Sequence, residues 1–201
     1  SGLARRTDAQ RQGPGAEGHA GDVERRGHAA RVEAAVRSHR TAGARLQALC
    51  LLDQLDGVDE SFLRSALADK EGPVRATAVR VAERHLKDRT TSTTLQRMSN
   101  DPDPAVRLQL ALSLGEVVGR ADGLSRIASS DVADVRMRYA VLSSVTKNAP
   151  DVLEAMLKTN EKTPGRREMV DGLIRTAAAS SDARMRERTL SLVLPREGDS
   201  F

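Results

Sequence analysis

The stretch Ser99–Gly115, SNDPDPAVRLQLALSLG, sets a turn of Asp and Pro directly against an aliphatic run, with a single arginine, Arg107, at the junction. Pro104 suits the start of a helix, where a missing N–H costs little and the fixed φ helps. The Asp and Ser residues before it are good caps for exposed amides. Beyond the turn, Val106, Leu110, Ala111 and Leu114 recur at three and four residues, the period of a helix with one apolar face. An arginine near a helix start is unfavourable to the helix dipole unless an acceptor or carboxylate answers it. The stretch therefore predicts a helix whose first turn carries a charge in need of a partner.

The same arrangement returns along the chain: AGARLQALCLLDQL with Arg45, EGPVRATAVRVAERHL with Arg75, DPAVRLQLALSLG with Arg107 and VADVRMRYAVLSSV with Arg136, at spacings of 30, 32 and 29 residues. A looser copy, TPGRREMVDGLI, places Arg166 another 30 residues on. In the second copy the apolar positions are Val74, Ala78, Val81, Ala82 and His85 or Leu86. A shorter apolar helix pattern precedes each later junction, in DESFLRSALAD, TTLQRMSND, ADGLSRIASSD and PDVLEAMLK. Each unit is thus helix, turn, helix, and such a pair buries its apolar face only by stacking on its neighbours.

A pair of about 30 residues with an Asp five or six residues before the turn arginine resembles a HEAT repeat. The resemblance implies an all-α fold, an α-solenoid of about four to five HEAT-like helical hairpins. It also implies a ladder of turn Asp and second-helix Arg between successive repeats, here Asp69, Arg75, Asp101, Arg107, Asp131 and Arg136. More narrowly, the run from Ala44 to Leu86 resembles the HEAT-repeat region of large planctomycete-type membrane-bound dehydrogenases, a similarity covering roughly residues 28–180. In those proteins a sugar-dehydrogenase-like propeller precedes the repeats and a c-type haem domain follows them. This chain has no C-x-x-C-H and no propeller text, so redox chemistry would belong to other parts of a longer protein, with this piece as spacer.

Composition agrees with stacked helices. Hydrophobic residues make up 39% of the chain but aromatics only 1%, so the apolar material is nearly all Ala, Leu and Val. No window approaches the roughly 18 apolar residues of a membrane span, and the N-terminus lacks the apolar core of a signal peptide. Cys50, in LQALCLLDQL, is expected to be a small core residue. The net charge of +4 sits at one end: residues 1–45 hold 9 Arg against 5 Asp and Glu, while residues 46–201 hold 23 basic against 23 acidic residues. Residues 1–27 have Leu3 and Val23 as their only larger aliphatics and are expected to be disordered, or an aberrant segment read out of frame from a G+C-rich gene. The solenoid is expected over residues 28–195, opening with a helix in HAARVEAAVRSH and ending with Met185, Leu190 and Val193 before Pro195, followed by a tail at 196–201.

Catalytic patterns are missing. His19, His28, His39 and His85 show no metal-ligand spacing, no HE dipeptide occurs, and no G-x-x-x-x-G-K-[S/T] cradle is present. The Asp pairs 101/103 and 131/134 lie in turns, where capping is their use. The reading is a non-enzymatic scaffold without cofactor that binds another protein or domain through the concave face lined by second helices. Arg80, Arg84, Gln109, Ser113 and Arg138 are the expected contact positions. One alternative is the spacer of an extracytoplasmic haem-containing dehydrogenase. The other is backbone binding of nucleic acid by the row Arg64, Arg97 and Arg126, which the neutral body and scarcity of stacking aromatics disfavour.

Overall fold

The computed structural model describes residues 41–116 and 121–194, together with Gly27. The expected disordered segment 1–27 apart from Gly27, which is helical, the whole of the expected first helix in 28–39 and the tail at 196–201 lie outside the described residues. Ten α-helices follow one another with no strand among the described residues: α1 Ala42–Gln54, α2 Glu60–Leu67, α3 Gly72–Ala82, α4 Arg89–Arg97, α5 Pro104–Ser113, α6 Asp122–Asp131, α7 Val135–Ser144, α8 Ala149–Leu157, α9 Arg166–Ala179 and α10 Ala183–Val193. They make an all-α, HEAT-like solenoid.

The hairpins are α2/α3, α4/α5, α6/α7 and α8/α9, with α1 as the second helix of a preceding unit. Second helices stack in the order α1, α3, α5, α7, α9, and the first helices α4, α6 and α8 stack in a parallel layer. The last helix, α10, closes the row against α8 and α9.

Local chemistry sets the boundaries. Asp59, Asp88, Asp103, Asp134 and Asp182 cap the helices that follow them, each accepting a backbone N–H from the first turn. Pro73, Pro104 and Pro150 sit in first turns, where no intrahelical N–H is lost. One continuous core runs between the two layers. Ala78, Val81 and Ala82 of α3, and Val106, Leu110, Ala111 and Leu114 at α5, are all buried in it, opposite Leu63, Leu95, Leu124, Ile127 and Leu153 of the first helices, and Val74 is buried at the start of α3. A buried bond from Gly123 N to Gln96 Oε1, 2.7 Å, ties α6 to α4.

Cys50 departs from expectation. It is half-buried at the outer side of α1, with the Arg80 Nη2 3.9 Å from its Sγ, because α3 places an arginine rather than an aliphatic beside it. At the far end Met185 is buried, while Leu190 and Val193 stand exposed on α10.

Leu110 is fully buried at the middle of the second-helix row. Leu110→Ala is expected to lower unfolding stability by about 2–5 kcal/mol, the range for truncating a core leucine, read from urea denaturation followed by circular dichroism.

Candidate functional site

Each second helix from α1 to α7 carries an arginine as its fourth residue: Arg45, Arg75, Arg107 and Arg138. Three of them reach forward to the turn of the next unit. Arg45 donates from Nε and Nη2 to Asp69 at 2.6 and 2.8 Å. Arg75 does the same to Asp101 at 2.7 and 2.7 Å, and Arg107 to Asp131 at 2.8 and 2.6 Å. These are side-on, two-bond contacts that match the planar guanidinium to the carboxylate. The third nitrogen is also used: Nη1 of Arg75 donates to Asp69 O at 2.8 Å, and Nη1 of Arg107 to Asp101 O at 2.6 Å. One arginine thereby fastens its own turn and the next.

The acids divide the work. Asp69 Oδ1 and Asp101 Oδ1 also accept the backbone N–H two residues on, from Glu71 and Asp103, both at 2.9 Å, which shapes the turn. Asp103 and Asp134 then cap the following helix. Turns approach so closely that a β-carbon on Gly72 would fall 1.6 Å from Asp103 Oδ2, so any larger residue there would displace that carboxylate. The Arg45 hydrogen bond holds the Asp69 carboxyl below its ordinary range, against an opposing push from burial. At Asp101 burial pushes the carboxyl up, and the Arg75 hydrogen bond, the Asp103 N–H and the nearby charge of Arg107 together reverse it, so that it too ends lowered.

The fourth unit departs from the expected pattern. Arg136, taken from sequence as the rung, turns back to Asp134 of its own turn, 2.9 Å away, and is exposed. The reason is register. The turn between Asp131 and α7 is one residue longer than its counterparts, so the fourth helical residue is Arg138, which donates from Nη1 to Val132 O at 2.8 Å. Counted from Arg107, Arg138 lies 31 residues on, closer to the spacings of the earlier rungs than Arg136, and that regularity was the available signal. Arg166 is no rung either: it donates to Met156 O and Leu157 O and ties down the end of α8.

The expected contact positions separate. Arg84 is exposed, 3.0 Å from Asp56 and 3.6 Å from the buried Asp53, beside a small hollow of about 130 Å³ lined also by Val58 and His85. Arg80 is exposed and lies 4.0 Å from Asp53. Gln109 is half-buried, its Nε2 3.3 Å from Ser113 Oγ. Ser113 is a correction: it is fully buried, with Glu83 Oε1 2.6 Å from its Oγ, because its helical position faces the neighbouring second helix. Arg138 is half-buried. Sequence reasoning missed the apolar side chains left outside, Leu112, Val135 and Tyr139, the last 70% exposed. A lone tyrosine on a helix carries no signal of its direction until the helix register is known. Of the row Arg64, Arg97 and Arg126, all are exposed on first helices, and Arg64 is paired with Glu60 at 2.7 Å.

Against this geometry, comparison with known families is specific. A family model for HEAT repeats matches residues 60–145. The match covers α2 to α7, the part of the chain that holds the rungs from Arg75 to Arg138. No curated protein and no solved structure matches the chain.

Arg107 and Asp131 side chains are 18% and 15% exposed, and truncating one partner of such a pair strands the other. Arg107→Ala is expected to cost about 2–3 kcal/mol in urea denaturation, the scale of lost charge-assisted hydrogen bonds in a part-buried site. Arg136→Ala is expected to leave the melting temperature unchanged, since its pair is exposed. Acid should act through Asp69 and Asp101. Their carboxyls are lowered in the folded state, so their contribution is complete above the unfolded value of about 4 and is lost as pH falls through the lowered folded values. The melting temperature is expected to hold steady down to about pH 5 and fall below about pH 4, with a shallower fall in Asp101→Asn.

Proposed function

We infer that the chain is a non-enzymatic HEAT-type scaffold that holds another protein, or a neighbouring domain, along the outer face of its second helices. The observation that carries this is the placement of Leu112, Val135 and Tyr139 outside the core on adjacent second helices, with Arg80, Arg84 and Arg138 along the same layer. Large apolar side chains at solvent on stacked helices are the surface that partners cover, and a tyrosine supplies rigid apolar area with a polar tip. HEAT-repeat matches over α2–α7 support the same use, since stacked helical repeats serve as extended binding surfaces.

The reading excludes chemistry at the ladder. Its carboxylates are each taken up by a guanidinium and most also by a backbone N–H, so none is placed to exchange protons with a substrate. Their role is to hold the second helices in a fixed spacing, and Tyr139, one residue beyond Arg138, faces outward from that frame.

A pull-down with the full chain as bait, compared with Leu112→Glu/Tyr139→Glu, tests the reading. The expected result is a protein recovered by the wild-type chain and lost by the double variant, whose helical circular dichroism is unchanged because both sites are exposed. Equal recovery by both baits would contradict it.

A further inference from the structure

Resting on the scaffold reading, a contact point for such a partner is argued from the one rung of the ladder that differs from the others. Arg45, Arg75 and Arg107 each meet a carboxylate with Nε and Nη2. Arg138 occupies the same fourth position in its helix and makes the same bond from Nη1 to the carbonyl six residues earlier. Nη1 also lies 3.2 Å from Ala133 O. Yet among the described residues no carboxylate answers its Nε and Nη2. The position that supplies Asp69 and Asp101, three residues before the next second helix, is Thr163 ahead of α9, and Lys162 precedes it. Among the described residues no buried side-chain nitrogen or oxygen lacks a partner, so the two unanswered nitrogens are open to solvent.

The site is shaped around the guanidinium. Gly165, at φ 81°, opens α9, and a β-carbon there would lie 2.3 Å from Arg138 Nη1 and 2.3 Å from Val132 O. The chain thus holds Arg138 in rung geometry without supplying its acid. Tyr139, the next residue, and Val135, one turn earlier, are exposed on the same helix, with Leu112 on the adjoining α5.

We propose that Arg138 is an open rung that binds a carboxylate of a partner protein: an Asp or Glu side chain takes the place that Asp131 takes on Arg107, and a neighbouring apolar residue of the same segment covers Val135 and Tyr139. The ligand class is an acidic peptide segment with an adjacent aliphatic or aromatic residue. Guanidinium fixes the carboxylate by two parallel bonds, and the apolar patch supplies area that the ion pair alone lacks.

The test pans a random dodecapeptide library on the full chain and measures recovered peptides by fluorescence anisotropy. Recovered sequences are expected to share an Asp or Glu beside Leu, Ile or Phe. Arg138→Gln, and replacement of the peptide acid by its amide, should each weaken binding about tenfold or more. Thr163→Asp offers the rung an internal acid: it should raise the melting temperature and weaken the peptide to a similar degree. Because Tyr139 is the only tyrosine and the chain has no tryptophan, its emission reports occupancy of the patch by peptides lacking both. Folding of each variant is checked by circular dichroism. Peptides lost on Leu112→Glu/Tyr139→Glu but indifferent to Arg138→Gln and Thr163→Asp would overturn the open rung and leave the scaffold reading standing. A chain that sediments as a dimer dissolved by Arg138→Gln would make a second copy the occupant and overturn the assignment to another protein. Recovery of no peptide would overturn both readings.

Discussion

A guanidinium in the first turn of a helix sits where the helix dipole disfavours it, and in this protein that misplacement is what joins one repeat to the next. Arg75 stands at the fourth residue of α3, and its unfavourable position is offset by two bonds to Asp101 of the following unit and one to Asp69 O of its own. The same three-way bond repeats at Arg107. Apolar burial would let neighbouring hairpins slide or rotate on one another with little change in area. The planar, two-bond contact does not, because it is satisfied at one spacing and one orientation. Burial supplies the driving force of the stack and the ladder supplies its register.

This division explains how so modest a composition builds a regular array. Ala, Leu and Val fill the space between layers without polar atoms to satisfy, and the turns absorb the charge. Asp residues do three jobs in three or four positions: they meet an arginine, shape the turn by accepting a backbone N–H, and cap the next helix. The ion pairs are largely shielded, Asp101 being 7% exposed, which makes them costly to break singly while leaving their net contribution modest. Their value lies in specifying geometry, and a surface read by a partner depends on geometry.

Much of this was legible in the residues. Asp and Pro beside an aliphatic run at intervals near 30 predict both the hairpins and the arginines at their junctions, because turn chemistry and helix period are local. What escaped was direction. Val135-Arg136 repeats the pair Val106-Arg107, but one extra turn residue shifts the helix start and hands the rung position to Arg138. Ser113 reads as a polar outward residue, yet it is buried beneath Glu83 of the neighbouring unit, whose carboxylate accepts a hydrogen bond from its hydroxyl. Cys50 reads as core until Arg80 is placed beside it. Each depends on which residue a second repeat sets opposite, which periodicity along one helix does not contain. Tyr139 belongs to the same class: its exposure follows from the one-residue shift that makes Arg138 the rung.

The most direct test of the account is a double-mutant cycle on Arg75 and Asp101, with urea denaturation of the wild type, Arg75→Ala, Asp101→Ala and the double variant. A ladder that sets the register predicts a coupling energy of about 1.5–3 kcal/mol, the scale of a hydrogen-bonded, part-buried charge pair. Additive single effects, with coupling near zero, would show that apolar stacking alone holds the repeats and would contradict the account.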